Sequence, residues 1–532
     1  MSNPLGLAKS NTRLWTVGAL VPSLVILTFL LALSIYYYRS WKRLAHIPGP
    51  SIAHISIIWL LRHAWNGRLT PCLIEAGEKY GPLARIGPNL LLCSDAEELR
   101  CILGVRSGYT KGPAYDAGRV TDGDPHVASE RDPVKHKELR AKMGPAYSLD
   151  VQPAIDRQVS KLIGLINSKY TSVQSTIPKT GLQPPGLGRF MDFSQKMRFY
   201  TFDLIGDFAF GEPFGFLHSD EDVRGLIQIG DLSMRMVTAA GLVPWLVKMK
   251  SKWPFSHFLP KQGDKVGFGI LFDFARDLVD RRTAVEATPM NDMMQAFIRS
   301  GMTKDQLMQQ VYIHMIAGTE ASANWASMIM LCLLTCPPAY MALQREIDAA
   351  SACGDLSSPI ATDSEARTLP YLDSVLREAL RLHPPSTAPS KLSPQKGGQS
   401  TTTLSGFTVP AGTQVGANIP GILRSQEVFG PDAGCFCPER WLKVADGDED
   451  RLNRMKSTLD LAFGAGKFQC LGKAIAWMQV RKLYVELLRN FDFSIVNTHK
   501  PLHVEWLAIV KLHDFNVRIT RRETVKAKNA SA

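Results

Sequence analysis

A long, mostly apolar stretch without charged residues lies near the N-terminus of the chain. Residues 14–38 contain no charged side chain, and about 20 apolar residues in a helix suffice to cross the hydrocarbon core of a bilayer. Trp15 lies at one end and three consecutive tyrosines lie at the other, where aromatic side chains favour the membrane interface. The pattern predicts a transmembrane anchor over residues 14–38, preceded by a short segment at residues 1–13.

The charges beside this stretch predict its orientation. Arg39, Lys42 and Arg43 follow it, whereas Lys9 and Arg13 precede it. The positive-inside rule therefore places residues 1–13 in the lumen and the bulk of the chain in the cytosol. The Pro-Gly-Pro sequence at 48–50 breaks a helix, so residues 39–50 are interpreted as a basic, proline-containing hinge before a single domain at residues 51–532.

Three further apolar patterns have helical spacing. The first begins at Thr303, where Gln306 completes a capping-box pattern, and ends before Pro337. The second covers residues 369–383, and the third runs from Leu471 to about residue 490. Short alternating segments, among them residues 406–413, predict a small β region. The expected fold is mainly α with a small β region.

Charge and cysteine content narrow the class of protein. The net charge is +12, but the basic residues form no run interleaved with aromatic residues, so nucleic-acid binding is not expected. A basic face that meets anionic lipid or an acidic redox partner is the functional alternative to an ordinary solvated face. The nine cysteines have no framework spacing, which favours reduced thiols in a cytosol-facing protein.

The most informative chemical feature is the segment at 463–472, Phe-Gly-Ala-Gly-Lys-Phe-Gln-Cys-Leu-Gly. Its glycines surround Cys470, which directly precedes a predicted helix, and the partial positive charge of a helix N-terminus favours a thiolate. Gly466 and Gly472 would let the backbone approach something flat and large. A thiolate without a second ligand at zinc spacing suits one axial bond to a heme iron.

This segment resembles the heme-binding signature of the cytochrome P-450 family, Phe-x-x-Gly-x-x-x-Cys-x-Gly, through Phe463, Gly466, Cys470 and Gly472. The resemblance implies that Cys470 is the axial iron ligand. The chain departs from the family pattern two residues before the cysteine, where Phe468 replaces the common Arg or His. The adjacent Lys467 is a candidate for the missing charge.

Residues 317–322, Ala-Gly-Thr-Glu-Ala-Ser, lie within the first long helix and resemble the family's oxygen-binding groove. The family's usual threonine after the acid is Ala321 here. The resemblance implies a catalytic region with Gly318, Thr319, Glu320 and Ser322. Proton delivery is expected through Glu320, or through Thr319 or Ser322 and water, or with help from a substrate hydroxyl.

Two further parts of the resemblance concern charged residues. Arg140 and, four residues earlier, His136 match the family's pattern for binding a heme propionate, and Lys391 occupies a place where the family often has an arginine for the same purpose. Glu378 and Arg381 match the Glu-x-x-Arg helix, and Arg440 matches the later Pro-Glu-Arg segment. These last three are expected to form a structural charge network.

Taken together, the resemblance implies a membrane-anchored fungal heme b enzyme of secondary metabolism in the endoplasmic reticulum, with its heme-thiolate catalytic domain facing the cytosol. NADPH would act through a separate NADPH-cytochrome P-450 reductase, with cytochrome b5 as a further partner. The expected reaction is monooxygenation of a lipophilic small molecule such as a terpenoid, polyketide or alkaloid intermediate. A redox-neutral heme-thiolate isomerase or dehydratase and a non-catalytic heme-binding protein are the alternatives.

Overall fold

Helices dominate the part of the chain that the structure, a computed structural model, describes. It covers residues 38–119, 123–172, 189–249, 268–286, 288–386, 392–394, 401–442 and 448–522, together with the single positions Thr28, Leu31, Ser34 and Ile35. The prediction of a mainly helical protein with a small β region is confirmed.

The α-helices of six or more residues follow one another along the whole described chain. They are Ile58–Trp65, Leu69–Tyr80, Ala96–Leu103, Pro133–Met143, Gln152–Leu165, Phe193–Phe210, Leu226–Leu242, Pro244–Met249, Phe268–Thr283, Met293–Arg299, Lys304–Ile313, Thr319–Thr335, Pro337–Cys353, Pro370–Leu382, Glu449–Asp460 and Lys473–Asn490. Four-residue helices lie at Phe216–Ser219, Asp363–Ala366, Ile419–Ile422 and Gln426–Phe429.

The strands form small sheets. The largest has the order Leu83–Gly87, Leu90–Cys93, Gln414–Ala417, Leu392–Pro394 and Tyr109–Lys111. A second sheet joins Phe491–Ile495 and Asn516–Arg521 with the two-residue strands Thr171–Ser172 and Met191–Asp192, and a hairpin pairs His503–Glu505 with Lys511–His513. The β segment predicted at residues 406–413 contributes only one strand of a hairpin, which pairs Thr401–Leu404 with Phe407–Pro410. Its two-residue turn has positive φ at Ser405 and Gly406 (48° and 81°), as a primed turn requires.

The central helix is defined as Lys304–Thr335. Thr303 caps it, and Gln306 completes the predicted capping box. Its residues are buried on nearly all sides over Thr319–Thr335, as an apolar pattern all round the helix predicts. It packs most extensively against Phe193–Phe210, which is likewise buried along almost its whole length. These two helices form the middle of the main hydrophobic core.

The segment that links the predicted anchor to the domain is packed rather than free. The buried Arg85 donates hydrogen bonds to the carbonyls of Ser40 and Trp41 at 3.0 and 3.1 Å. Leu44 and Ile47 are fully buried in the core beside the largest sheet. The predicted hinge at 39–50 is therefore part of the packed domain, because its apolar residues and backbone carbonyls find partners there.

The predicted anchor at residues 14–38 lies almost wholly outside the described residues, although the described positions between 28 and 38 are helical. Within the described part of the chain, no single helix is long and apolar enough to cross a membrane. One pair of helices, Lys304–Thr335 and Pro337–Cys353, meets that condition jointly, with a bend of 109° between them. The anchor remains a prediction.

Candidate active site

The loop around Cys470 is closed by its own backbone. The amide of Cys470 donates a hydrogen bond of 2.8 Å to the carbonyl of Phe463. At Gly466, where φ is +55°, a side-chain Cβ would lie 2.5 Å from the carbonyl oxygen of Leu103. Gly466 is thus required by close packing against the backbone of residues 103–105. Of the loop glycines, Gly472 is the least crowded on its Cβ side, where the sulfur of Cys470, at 3.9 Å, is the one atom within 4 Å.

The Cys470 side chain is exposed, yet it is surrounded by enough protein that burial raises the pKa of its thiol. The Cys470 side chain thus has free space beside it but is enclosed by protein, as expected for a side chain that lines an internal space. The amide N–H groups of Gly472 and Lys473, and the charge of Arg140, act against this shift without cancelling it. The helix N-terminus alone therefore does not produce the predicted thiolate; a coordinated metal ion would.

Aromatic packing positions the loop. The Phe463 ring lies 6.3 Å from that of Trp325 on the central helix and 6.5 Å from that of Trp477 on Lys473–Asn490. The two tryptophans pack edge to face, with centroids 4.8 Å apart. Phe463 is thus held between the two helices, and this contact fixes the start of the cysteine loop relative to the central helix.

The predicted propionate-binding residues lie next to the loop. Arg140 donates a hydrogen bond of 2.8 Å to the carbonyl of Gln469, and the buried His136 ring lies 5.9 Å from that of Phe468. Burial, with smaller contributions from nearby cations, lowers the pKa of His136 to about 4, so it is neutral at pH 7. Lys391 lies outside the described residues.

Sequence reasoning missed a lysine in this region. Lys111 is buried, and its Nζ lies 5.9 Å from the centre of the Phe468 ring. It comes from the strand Tyr109–Lys111, more than 350 residues before Phe468 in the chain. The sequence signal that could have indicated it is a single lysine in a short strand, which is too common to be specific.

The central helix presents an apolar face at the predicted groove. Residues 314–318 form a π-helical turn, a feature that is frequent at functional sites. Ala317 is exposed although the helix around it is buried, and Ala321, one turn later, is half-buried. Gly318 instead faces Phe193–Phe210, since a Cβ there would lie 2.9 Å from the Cδ1 of Ile205. The open space beside the helix is therefore bordered by alanine methyl groups.

The two predicted hydroxyl groups lie on other sides of the helix. Thr319 is fully buried, and its hydroxyl donates to the carbonyl of Met315 at 2.6 Å. The Ser322 hydroxyl accepts a 2.7 Å hydrogen bond from the Gln479 amide on Lys473–Asn490. Both hydroxyls have protein partners, so neither is presented by the same face as Ala317.

Glu320 belongs to a buried charge cluster that we call the Glu320 cluster: Arg198, Asp231, Glu320 and Lys511. Lys511 lies 2.8 Å from Glu320 and 3.0 Å from Asp231. Arg198 lies 3.7 Å from Glu320 and 2.9 Å from Asp231. The four residues come from the central helix, the helices Phe193–Phe210 and Leu226–Leu242, and the strand Lys511–His513. Sequence reasoning identified only Glu320.

The Glu378 cluster, made of Glu378, Arg381 and Arg440 with the indole of Trp441, contains the predicted contacts. Arg381 donates two hydrogen bonds to the Glu378 carboxylate at 2.7 and 2.9 Å. Arg440 and Trp441 each donate another at 2.9 Å. The remaining Arg381 donors reach backbone carbonyls. The structural role assigned to this cluster stays a prediction.

The donor set around Cys470 fits an iron porphyrin. One accessible sulfur is available to a metal, and Gly472 leaves open space beside it. Arg140 lies beside the loop and Lys467 within it, and among the described residues neither is paired with a carboxylate. The heme edge carries two carboxylates, which such cations bind, while alanine methyl groups suit its apolar faces.

Comparison with known proteins identifies the family of the chain. The family model for cytochrome P-450 matches residues 109–514. The chain is 33% identical over 509 residues to the cytochrome P-450 monooxygenase ABA1 of Pyricularia oryzae, a match that covers 94% of this chain and 96% of the relative. It is 32% identical over 519 residues to the cytochrome P-450 monooxygenase abl1 of Leptosphaeria maculans, covering 95% and 87%. A further relative, cicH of Emericella nidulans, is 30% identical over 512 residues, covering 93% and 97%.

Proposed function

The chain belongs to the cytochrome P-450 family, whose members bind heme and act as monooxygenases, and from this premise we propose that it oxidises a lipophilic small molecule of fungal secondary metabolism. The observation that carries the proposal is Cys470, an accessible sulfur three residues before the helix Lys473–Asn490 and inside the family's cysteine loop. The relatives are named as monooxygenases.

When bound, heme supplies the activation of molecular oxygen. Cys470 would hold the iron, and the amides of Gly472 and Lys473 would orient the sulfur. Arg140 would bind a heme carboxylate while its hydrogen bond to Gln469 ties it to the loop. The neutral His136 would support the loop by packing on Phe468, and Lys391 would contribute a further positive charge.

The shape and chemistry of the central helix support a lipophilic substrate. Ala317 and Ala321 border open space with methyl groups only, and the nearby hydroxyls of Thr319 and Ser322 are engaged inside the protein. A pocket bordered in this way binds through apolar contact rather than hydrogen bonds. Terpenoid, polyketide and alkaloid intermediates have such surfaces.

Proton supply is proposed to come from the side of Glu320. Its carboxylate lies on the face of the helix that contacts Arg198 and Lys511, and water would connect it to the open space beside Ala317. A substrate hydroxyl is the alternative source, because the family's usual threonine is Ala321 here.

Electrons are proposed to come from NADPH through a separate reductase, with cytochrome b5 as a further donor. The sequence contains no glycine-rich fingerprint for a flavin or nicotinamide cofactor after a strand.

The uncharged residues 14–38 and the basic residues after them support single-pass anchoring in the endoplasmic reticulum membrane with the domain in the cytosol. A deletion that tests this should end at residue 37, because Ser40 to Ile47 pack against the domain.

The test of the proposed function uses the full chain expressed with a cytochrome P-450 reductase. The ferrous–CO complex should show the red-shifted absorption typical of a thiolate ligand, and Cys470→Ala should abolish both this band and product formation. Cys101→Ala, which changes an exposed cysteine on Ala96–Leu103, is the matched control and should alter neither.

Candidate lipophilic intermediates should then be oxidised only when NADPH is present. Product formed without NADPH would favour the redox-neutral enzyme. A thiolate spectrum without product from any candidate would favour the non-catalytic heme-binding protein. Loss of the thiolate band in Cys101→Ala, with retention in Cys470→Ala, would refute the assignment of the ligand.

A further inference from the structure

A buried cation, Lys111, lies beside the cysteine loop. Lys111 is 6% exposed, and its Nζ donates a 2.7 Å hydrogen bond to the carbonyl of Val127. Among the described residues, no carboxylate oxygen lies within 4.0 Å of this ammonium, whereas the similarly buried Lys511 has two such partners. A buried charge without a counterion is costly, so Lys111 indicates an anion that completes the site.

The neighbours of Lys111 make the need for an anion stronger. Lys467 lies 5.2 Å from the Phe468 ring and donates to the carbonyl of Ser107. Arg140 lies beside the loop that carries this ring and donates to the carbonyl of Gln469. Neither is within 4.0 Å of a carboxylate in the described part of the chain. Three cations thus converge on one short loop, and the described residues supply no negative charge among them at ion-pair distance.

Burial makes the charged form of Lys111 less favourable, as expected for an ammonium without a counterion. It lowers the pKa of the ammonium to about 7, with Glu130 opposing the shift and Arg140 adding to it. A carboxylate that bound Lys111 would restore the charged form. The Glu130 carboxylate itself accepts a hydrogen bond from the Asp132 amide, so it is oriented by that turn.

The position of Lys111 over Phe468 identifies which charge it replaces. Phe468 occupies the position where the family pattern commonly has Arg or His, and its aromatic ring carries no charge. Its ring is instead bordered by Lys111 at 5.9 Å, Lys467 at 5.2 Å and the neutral His136. An ammonium at this distance is attracted to the ring face, which holds Lys111 beside the loop.

We propose that Lys111 is a cofactor-binding residue, whose ammonium binds a heme carboxylate in place of the cation absent at position 468. The inference rests on the proposed function, since it requires heme on Cys470. In this arrangement the Phe468 ring supports the lysine by packing against its ammonium. The hydrogen bond of Lys111 to the carbonyl of Val127 then links the heme carboxylate to that segment.

The test measures the rate of heme transfer from the purified holoprotein to excess apomyoglobin. Lys111→Met should accelerate heme loss about ten- to a hundredfold, the range expected for a hydrogen bond to a charged group, and should lower the heme reduction potential because a nearby positive charge is gone. Lys142→Met is the matched control: Lys142 also donates to one carbonyl, Gly301 at 3.0 Å, and its loss should leave both quantities unchanged.

A second-site variant separates carboxylate binding from a structural role. Phe468→Arg combined with Lys111→Met returns a cation to the loop but does not restore the hydrogen bond to Val127. If Lys111 binds the heme carboxylate, the double variant should recover most of the lost heme affinity and potential. If Lys111 only supports the Val127 segment, the double variant should lose heme as fast as Lys111→Met, and the inference is overturned.

Unchanged heme loss in Lys111→Met, in a protein that keeps the thiolate spectrum, would overturn this inference alone. A wild-type protein without that spectrum would overturn the proposed function together with it. The two failures are therefore distinguished by the ferrous–CO spectrum of the same samples.

Discussion

Two buried charge clusters, both centred on a glutamate in a helix, differ in how completely their atoms are paired. In the Glu378 cluster, one carboxylate accepts from Arg381, Arg440, Trp441 and the amide of Cys437. In the Glu320 cluster, the Nε of Arg198 and Oε2 of Glu320 lie in an ion pair of 3.7 Å but have no hydrogen-bond partner among the described residues. The first cluster is saturated and the second is not.

The difference agrees with where the clusters lie. Glu378 and Arg381 are three residues apart on one helix, and their partners belong to the neighbouring turn Pro438–Trp441. The Glu320 cluster joins two helices to the central helix and a C-terminal strand. A saturated network within one packed region stabilises a single arrangement, whereas an incompletely paired network between several elements has donors and acceptors left for water or for movement.

The largest expected effect is on the saturated cluster. Glu378→Gln leaves two buried guanidinium groups without their shared carboxylate, so the free energy of unfolding should fall by about 3–5 kcal/mol. Urea unfolding, followed by loss of the heme absorption band, measures this. Glu427→Gln removes an exposed ion pair with Arg454 and should cost less than about 1 kcal/mol. Equal effects of the two variants would contradict the comparison.

A smaller loss of stability is expected in the Glu320 cluster. Lys511→Met removes the cation shared by Glu320 and Asp231, but Arg198 remains and Asp231 is partly solvated, so the cost should be about 2 kcal/mol. Turnover should fall and more NADPH electrons should end in peroxide, because Glu320 loses its closest partner.

A matched control for Lys511→Met is a more exposed ion pair between the same helix and the same hairpin. Arg235 on Leu226–Leu242 pairs with Glu505 on the strand His503–Glu505. Arg235→Met should change the free energy of unfolding by less than about 1 kcal/mol. It should leave the ratio of product formed to NADPH consumed unchanged. Glu320→Gln should slow turnover more than Lys511→Met does. If Glu320→Gln leaves product and coupling unchanged, the proton-supply role of Glu320 is refuted while the heme assignment stands.

A change beside the Glu320 cluster tests the missing hydroxyl. Ala321→Thr places a hydroxyl on the same helix face as Ala317, and the ratio of product formed to NADPH consumed should rise by about tenfold or less, equivalent to at most about 1.4 kcal/mol. Ser322→Ala is the control, since its hydroxyl is bonded to Gln479, and it should leave this ratio unchanged. No rise in Ala321→Thr would favour a substrate hydroxyl as the proton source.

The last effect concerns acidification near the Glu378 cluster. Burial, followed by the charges of Arg424 and Arg381, lowers the pKa of His383 to about 4. The unfolded chain binds this proton near pH 6.5, so His383 contributes stability that is present above that pH and is lost as the pH falls toward 4. The slope is at most about 1.4 kcal/mol per pH unit.

Urea unfolding at several pH values from 7 to 4 gives the slope of the unfolding free energy against pH. In His383→Gln this slope should be smaller than in the wild type by the amount that corresponds to one proton. Buried His126 and His136 contribute the same background to both proteins. An unchanged slope in His383→Gln would show that His383 is protonated in the folded state.

The anchor prediction, the three long helices and the cysteine loop all follow from short-range patterns. Thr303 and Gln306 identify the start of the central helix because a capping box depends on residues three apart. Glu378 and Arg381 could be paired from their spacing on a helix. Cys470 could be identified because its loop is one continuous segment whose glycines and aromatic residue stand at defined positions.

The sequence alone thus determined the fold class, the family resemblance and the residue that would hold the heme iron, because each depends on neighbours along the chain. Only the tertiary structure decided that Lys111 lies over Phe468 and that Lys511 and Arg198 meet Glu320. It also decided that Gly466 packs against Leu103. These contacts join residues that are far apart in the chain, and no local periodicity records which distant charge or backbone atom a side chain will meet once the core has packed.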